Sequence, residues 1–234
     1  MTIEKEIKRI FISGLRPENA RRKGYLGMSM IGGCPTAAYD SFMGTREVDM
    51  RLLWYGFAGG NCESGIRDLF RVSSEFVLIP KEHYMYHIEA DFDSRYRGHA
   101  DIILASRLDG ELIVVDVKSL GWDKFEDVAL YSKVPYSHEK NVAQVRSYMY
   151  HGKFDRGAII YTPRDIPHGG WPDSALHVAD NDVLPFRVFE AKKDSVAIAD
   201  LNEKATLLLK LIDKRKRPEC TCGFCRRDYE EIPF

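Results

Sequence analysis

Apolar positions change period along the chain. Ile3 to Leu15 has helical spacing that ends near Arg16-Pro17, because the residue before proline disfavours the α region. A glycine-rich turn leads into Ser29-Met30-Ile31-Gly32-Gly33-Cys34-Pro35. Pro35 suits an early helical position, so Cys34 is expected at the start of a helix carrying Ala37, Ala38, Tyr39 and Phe42. Asp49 to Val72 reads mostly as helix, interrupted or closely packed at Gly56, Gly59 and Gly60.

In the middle of the chain the pattern becomes strand-like. Tyr96 to Ala105 and Glu111 to Lys118 are rich in Ile, Leu and Val, and Asp109-Gly110 between them is a hairpin signal. Leu112-Ile113-Val114-Val115 is apolar on both faces, as in a buried central strand. Gly121 to His138 reads as a long polar and aromatic loop. Glu139 to Tyr150 is helical, and Gly157 to Tyr161 and Phe186 to Phe189 are short strands. Val196 to Lys214 is a helix with Ile198, Leu201, Leu208 and Leu211 as its apolar positions. The order predicts one α/β domain, a mixed sheet flanked by helices.

Composition narrows the class. The 234 residues carry 34 Lys+Arg against 35 Asp+Glu and are 44% apolar, which excludes a disordered chain. No apolar run reaches the roughly 18 residues that cross a bilayer. Met1 to Arg9 is charged and lacks the apolar stretch of a secretory signal, so a cytoplasmic protein without membrane partners is expected. At a net charge of −1, binding nucleic acid requires a local basic surface. Lys210, Lys214, Arg215, Lys216 and Arg217, continued by Arg226 and Arg227, form one such stretch, and Arg21, Arg22 and Lys23 another. A solvated helix end explains the first equally well. Trp122, Phe125, Tyr131 and Tyr136 either stack unpaired bases or pack their loop down.

Five cysteines are too few for a disulfide scaffold at this length. Cys220, Cys222 and Cys225 crowd into six residues, which points to a metal or cluster more than to unrelated packed side chains. Cys62 reads as a small packed residue.

Candidate chemistry centres on Gly98-His99-Ala100-Asp101 and Asp116-Val117-Lys118-Ser119. Strand alternation puts Asp116 and Lys118 on one face, with Val117 anchoring the other, and the hairpin brings Asp101 alongside. Two carboxylates on a buried sheet repel each other, and a divalent cation such as Mg²⁺ or Mn²⁺ removes that cost. A salt bridge between Asp116 and Lys118 explains the same residues, and the two readings stand level here. Glu63 and Arg67 share a helix face four residues apart, as a further carboxylate or as an ordinary ion pair. Gln144 and Tyr148, with Lys140 one turn earlier, line one face of the later helix, where an amide and a phenol can bond phosphate or base edges.

Together these residues resemble the PD-(D/E)XK nuclease superfamily in its RecB-like branch. Its metal-binding Asp matches Asp101, its D/E-x-K element matches Asp116-Val117-Lys118, and its Gln-x-x-x-Tyr helix matches Gln144 to Tyr148. Gly59 to Glu63 matches the Glu form of the upstream Gly-x-x-x-His/Glu element. Cys34 before the core, with Cys220, Cys222 and Cys225 after it, resembles iron–sulfur exonucleases of the CRISPR-associated and AddB type.

The resemblance implies a restriction-endonuclease-like fold over 1–234, with a core of about 49–191. The ends, about 29–48 and 192–229, would be joined by a cluster on the four cysteines, [4Fe-4S] or alternatively Zn²⁺. It implies metal-dependent DNA hydrolysis. Glu63, Asp101, Asp116 and the Val117 carbonyl would hold Mg²⁺ or Mn²⁺, Lys118 would position or activate water, and Gln144 and Tyr148 would place the strand. The expected protein is a prokaryotic or viral exonuclease, 5′→3′ on single-stranded ends, in recombination, repair or CRISPR spacer processing beside proteins of those systems. The alternatives are a non-catalytic DNA-binding adaptor of the same fold and a zinc-stapled interaction module.

Overall fold

The structure is a computed structural model that describes residues 24–45, 50–131, 137–165 and 186–220. The helix expected over Ile3 to Leu15 lies outside these residues, as do Cys222 and Cys225.

The elements run β1 (Leu26–Gly27), α1 (Met28–Ile31), α2 (Pro35–Met43), α3 (Met50–Phe70), β2 (Phe76–Leu78), β3 (His87–Ala90), β4 (Asp93–His99) and β5 (Ile102–Ser106). They continue with β6 (Leu112–Leu120), α4 (Trp122–Tyr131), α5 (His138–His151), β7 (Arg156–Pro163), β8 (Arg187–Ala191) and α6 (Ser195–Asp213). Helix α2 begins as Pro35 dictates, with Cys34 extended at its N-cap, and it ends on left-handed Gly44 at φ 71°. Helix α6 is capped by Asp194, whose carboxylate accepts from the Ala197 N–H at 2.9 Å. Its buried residues Ile198, Leu201, Ala205, Leu208 and Ile212 recur every three or four positions, the stripe that packs a helix onto a core.

Two mixed sheets form where the sequence predicts one. The larger has the order β2-β5-β6-β7-β8, and the smaller β1-β4-β3. Strands β6 and β7 pair in parallel, a connection that needs a crossover, here made by α4 and α5. The other neighbours in the large sheet are antiparallel. The turn between β5 and β6 is the expected hairpin, with Gly110 at φ 76°.

Three expectations are corrected. Tyr96 to Ala105 is not one strand: it breaks at Ala100-Asp101, with β4 in the small sheet and β5 in the large one. Asp101 therefore lies between strands rather than on the partner of β6. Pairing of β5 with β6 ends at Ile102 opposite Val115, and the Asp101 carboxylate then accepts the Val117 N–H at 2.8 Å in place of a backbone carbonyl. The long loop after Gly121 opens with α4, because Trp122, Phe125 and Val128 recur every third position and are buried. Strands β2 and β3 have too few alternating apolar residues to stand out in the sequence.

Strand β6 alternates between two cores. Val114 packs with Val145, Tyr148, Ile159 and Tyr161 on the α5 side. Val115 and Val117 pack with Ile160 and with Ile66 and Phe70 of α3. Asp116 and Lys118 thus face α5. Beyond Val115, β6 keeps β7 on one side and has no ladder with β5 on the other. That open edge positions the candidate site.

Candidate active site

Asp116 is 0% exposed, while the Lys118 side chain keeps 28% of its surface open. The ammonium stands 2.8 Å from Asp116 Oδ1 and 2.7 Å from Oδ2. Hydrogen-bond geometry is met only at Oδ1, which also accepts from Gln144 Nε2 at 2.7 Å, so Oδ2 is buried without a hydrogen bond. The ion pair weighed in the sequence therefore exists, with its carboxylate fully buried and its ammonium partly open. Asp101 completes the group through its bond to the Val117 N–H. A strand residue points its N–H and C=O toward the same neighbour, so the Val117 carbonyl also faces this open edge.

The electrostatics are those of too much negative charge. Burial first, then the Asp116 charge, pushes Asp101 up to about 7. Burial likewise raises Asp116, against the pull of Lys118. For Lys118 burial opposes the charge, but Asp116, Asp101 and Glu63 outweigh it and hold the ammonium above the usual lysine value. When both aspartates ionise, two carboxylates face one ammonium, and the remaining charge sits on hard oxygen donors. Such a set fits Mg²⁺ or Mn²⁺.

Glu63 approaches from α3 and is paired with Lys81 at 2.7 Å, although its field reaches Asp101, Asp116 and Lys118. Among the described residues no three His, Cys, Asp or Glu side chains converge into a metal cluster. The Glu63–Arg67 pair weighed from the sequence does not form. Arg67 is buried and donates to the Tyr86 hydroxyl at 2.8 Å, the Ile79 carbonyl at 3.0 Å and the Asp101 carbonyl at 3.5 Å. It ties α3 to the Asp101 corner, and nothing in the sequence joins Arg67 to Tyr86.

Gln144 and Tyr148 share a face as expected, but they are buried and bond the protein. Gln144 Nε2 donates to Asp116 and to the Tyr148 hydroxyl at 2.7 Å, and that hydroxyl donates to the His99 carbonyl at 3.0 Å. Burial and the two aspartate charges hold the Tyr148 phenol protonated, well above its ordinary value. Gly98 makes this possible, since a Cβ there would come 2.4 Å from the Tyr148 ring. Lys140 is exposed and lies over Gly33, away from this chain of bonds.

Trp122 and Phe125 are 8% and 1% exposed and pack with Leu120, so they cannot stack bases. Tyr136 lies outside the described residues, as do Arg21, Arg22, Lys23, Arg226 and Arg227. Lys210, Lys214, Arg215 and Lys216 are exposed, whereas Arg217 pairs with Asp40 at 2.6 Å. Cys34 and Cys220, 186 residues apart, meet with their sulfurs at 3.6 Å. Cys62 is half-buried beside the Pro163 carbonyl, and burial raises its thiol.

Asp101 carries a stability prediction. An unfolded aspartate titrates near about 3.9. Between about 4 and about 7 the folded chain keeps a proton that the unfolded chain has released. Metal-free stability therefore falls as pH rises through that window. Asp101→Asn keeps an oxygen for the Val117 N–H and removes the charge. Melting in EDTA should show the wild type losing stability from acid to neutral pH and the variant nearly flat. The variant should melt about 5 °C higher above pH 7. A lower-melting variant there would mean that the charge supports the fold.

No protein-family model matches the chain, and no curated protein sequence does. The two mixed sheets with flanking helices make a fold known from exonucleases. The chain is similar to the alkaline exonuclease LHK-Exo of Laribacter hongkongensis, with a TM-score of 0.57 at 12% identity over 88% of this chain and 94% of that one. LHK-Exo in complex with dAMP gives the same TM-score and identity over 84% and 91%. At that identity the likeness is one of fold. No described helix is long and apolar enough to cross a membrane.

Proposed function

We propose that the chain is a Mg²⁺- or Mn²⁺-dependent deoxyribonuclease, a 5′→3′ exonuclease on single-stranded DNA ends serving recombination, repair or CRISPR spacer processing. The observation that carries this reading is the buried Asp101–Asp116–Lys118 group at the open edge of β6, in a fold shared with an alkaline exonuclease. The neighbour's complex with dAMP supports DNA as the substrate.

Asp101, Asp116 and the Val117 carbonyl would hold the ion, with Glu63 joining them if it leaves Lys81. Bound there, the ion supplies Lewis acidity toward the phosphate and a lowered water pKa. Lys118 stays charged, offsets negative charge developing on the phosphate and orients the attacking water. Gln144 fixes the Asp116 carboxylate, and Tyr148 holds the end of β4 through the His99 carbonyl. Both act on the site from behind rather than on the strand.

A cofactor on Cys34, Cys220, Cys222 and Cys225, [4Fe-4S] or Zn²⁺, belongs to the same reading. Its support is the approach of Cys34 to Cys220.

End-labelled single- and double-stranded DNA tests the activity. Mononucleotides should appear with Mg²⁺ or Mn²⁺ and vanish with EDTA, and the labelled end reports polarity. Absent or EDTA-resistant cleavage would replace this reading with the adaptor.

A further inference from the structure

The aromatics that sequence spacing offered for base stacking are buried, and another pair is open near the same site. Tyr55 on α3 is 45% exposed, and the Arg164 guanidinium lies 4.0 Å from its ring centroid. Arg164 forms no ion pair among the described residues. Its backbone is nonetheless fixed: the Arg164 N–H donates to the Leu120 carbonyl at 2.6 Å, and Asp165 accepts the Trp122 N–H at 2.9 Å. A half-buried arginine with no carboxylate partner among the described residues, held over an open phenol, keeps donors that can bind phosphate.

The pair lies at a definite distance from the candidate catalytic group. Tyr55 shares a face of α3 with Gly59 and Glu63, at steps of four residues. From Glu63 to Tyr55 is eight residues of helix, about 12 Å. Tyr161 is the register partner of Lys118, and Arg164 follows three residues later, about 10 Å along the strand direction. Between the two, Gly59 brings α3 close over β6, since a Cβ there would lie 3.4 Å from the Ser119 hydroxyl. Helix and strand thus place the same pair at one distance by two independent routes. A strand stacked at about 3.4 Å per nucleotide covers it in about three nucleotides.

We propose that Tyr55 and Arg164 form a nucleotide clamp for an unpaired DNA strand, gripping it about three nucleotides from the bond that is cut. Arg164 takes a phosphate through its edge, and the open face of Tyr55 stacks a base. This rests on the nuclease reading and adds to it a length requirement, a single strand long enough to reach the clamp.

The test is fluorescence-anisotropy binding of an oligothymidylate ladder to Lys118→Ala protein, which is expected not to cut it. Affinity should step up when the oligonucleotide exceeds about three nucleotides. Adding Tyr55→Ala or Arg164→Ala should weaken the longer oligonucleotides about tenfold and flatten the step. Adding both should cost clearly less than the product of the single effects, because the two side chains work as one stack. Tyr55 lies on an exposed helix face, so Tyr55→Ala keeps the test open if Arg164→Ala does not fold. Unchanged affinity of the folded variants for long oligonucleotides would overturn the clamp while wild-type cleavage still upheld the nuclease. A wild type that neither cuts nor binds DNA would overturn both.

Discussion

Lys118→Ala and Asp116→Ala should each lower DNA cleavage by about a thousandfold while the purified proteins keep their circular dichroism. The size follows from what each group does. Lys118 is the only ammonium bonded to the buried carboxylates among the described residues, and three carboxylates keep it charged. Without it, no other side chain bonded to these carboxylates among the described residues would offset negative charge on a phosphate bound there. Asp116 is the fixed point of the group, since Lys118 and Gln144 both converge on it. Its loss releases both. The fold should tolerate the loss of Lys118 for a related reason. Removing one partner of a buried ion pair usually costs about 3–5 kcal/mol, because the other is left charged. Burial has already raised Asp116, so without Lys118 it accepts a proton instead. Cleavage rates near wild type in both folded variants would discard the site.

How much of this was legible in the sequence depended on the range of the interaction. Helices with a sustained apolar stripe, such as α6, and the hairpin at Asp109-Gly110 were readable because period and turn chemistry are local. The Asp116-Val117-Lys118 arrangement was readable because strand alternation fixes the faces. The break at Asp101 was not, since Ile102 to Leu104 continues the apolar run and only the Val117 N–H across the hairpin gives the carboxylate a reason to leave the ladder. Helix α4 was hidden by its polar residues, with three buried positions among its described side chains to mark it. The partners of Gln144 and Tyr148 were not legible for a similar reason. Their shared face was visible, but what the face meets, Asp116 and the end of β4, is set by the sheet.

Long-range pairings were least legible. Arg67 with Tyr86, Lys81 with Glu63 and Arg164 with Tyr55 join segments whose spacing carries no signal. The charge run after Lys210 was visible, yet one of its members joins the segment after α6 to α2, because Arg217 reaches back to Asp40. A basic stretch in sequence is therefore an upper limit on the basic surface available to DNA.

Cys34→Ser and Cys220→Ser should each strip a bound metal and lower the melting temperature by about 10 °C. The two residues are brought together by contacts that need no metal. The Thr36 hydroxyl donates to the Pro218 carbonyl at 3.2 Å, and Arg217 binds Asp40 at 2.8 and 2.6 Å. With the chain already folded back, the two thiols would form half of the proposed site, which Cys222 and Cys225 follow closely in sequence. The separation bears on which metal. Two thiolates on one tetrahedral ion, with bonds of about 2.3 Å, stand about 3.8 Å apart. Thiolates of a [4Fe-4S] cluster each cap a different iron and stand farther apart. The 3.6 Å between Cys34 and Cys220 lies close to the first of these separations. Elemental analysis for zinc, iron and acid-labile sulfide decides between them, and a visible absorption band accompanies only the cluster. Serine variants with unchanged metal content and melting would show that the sulfurs meet without holding anything.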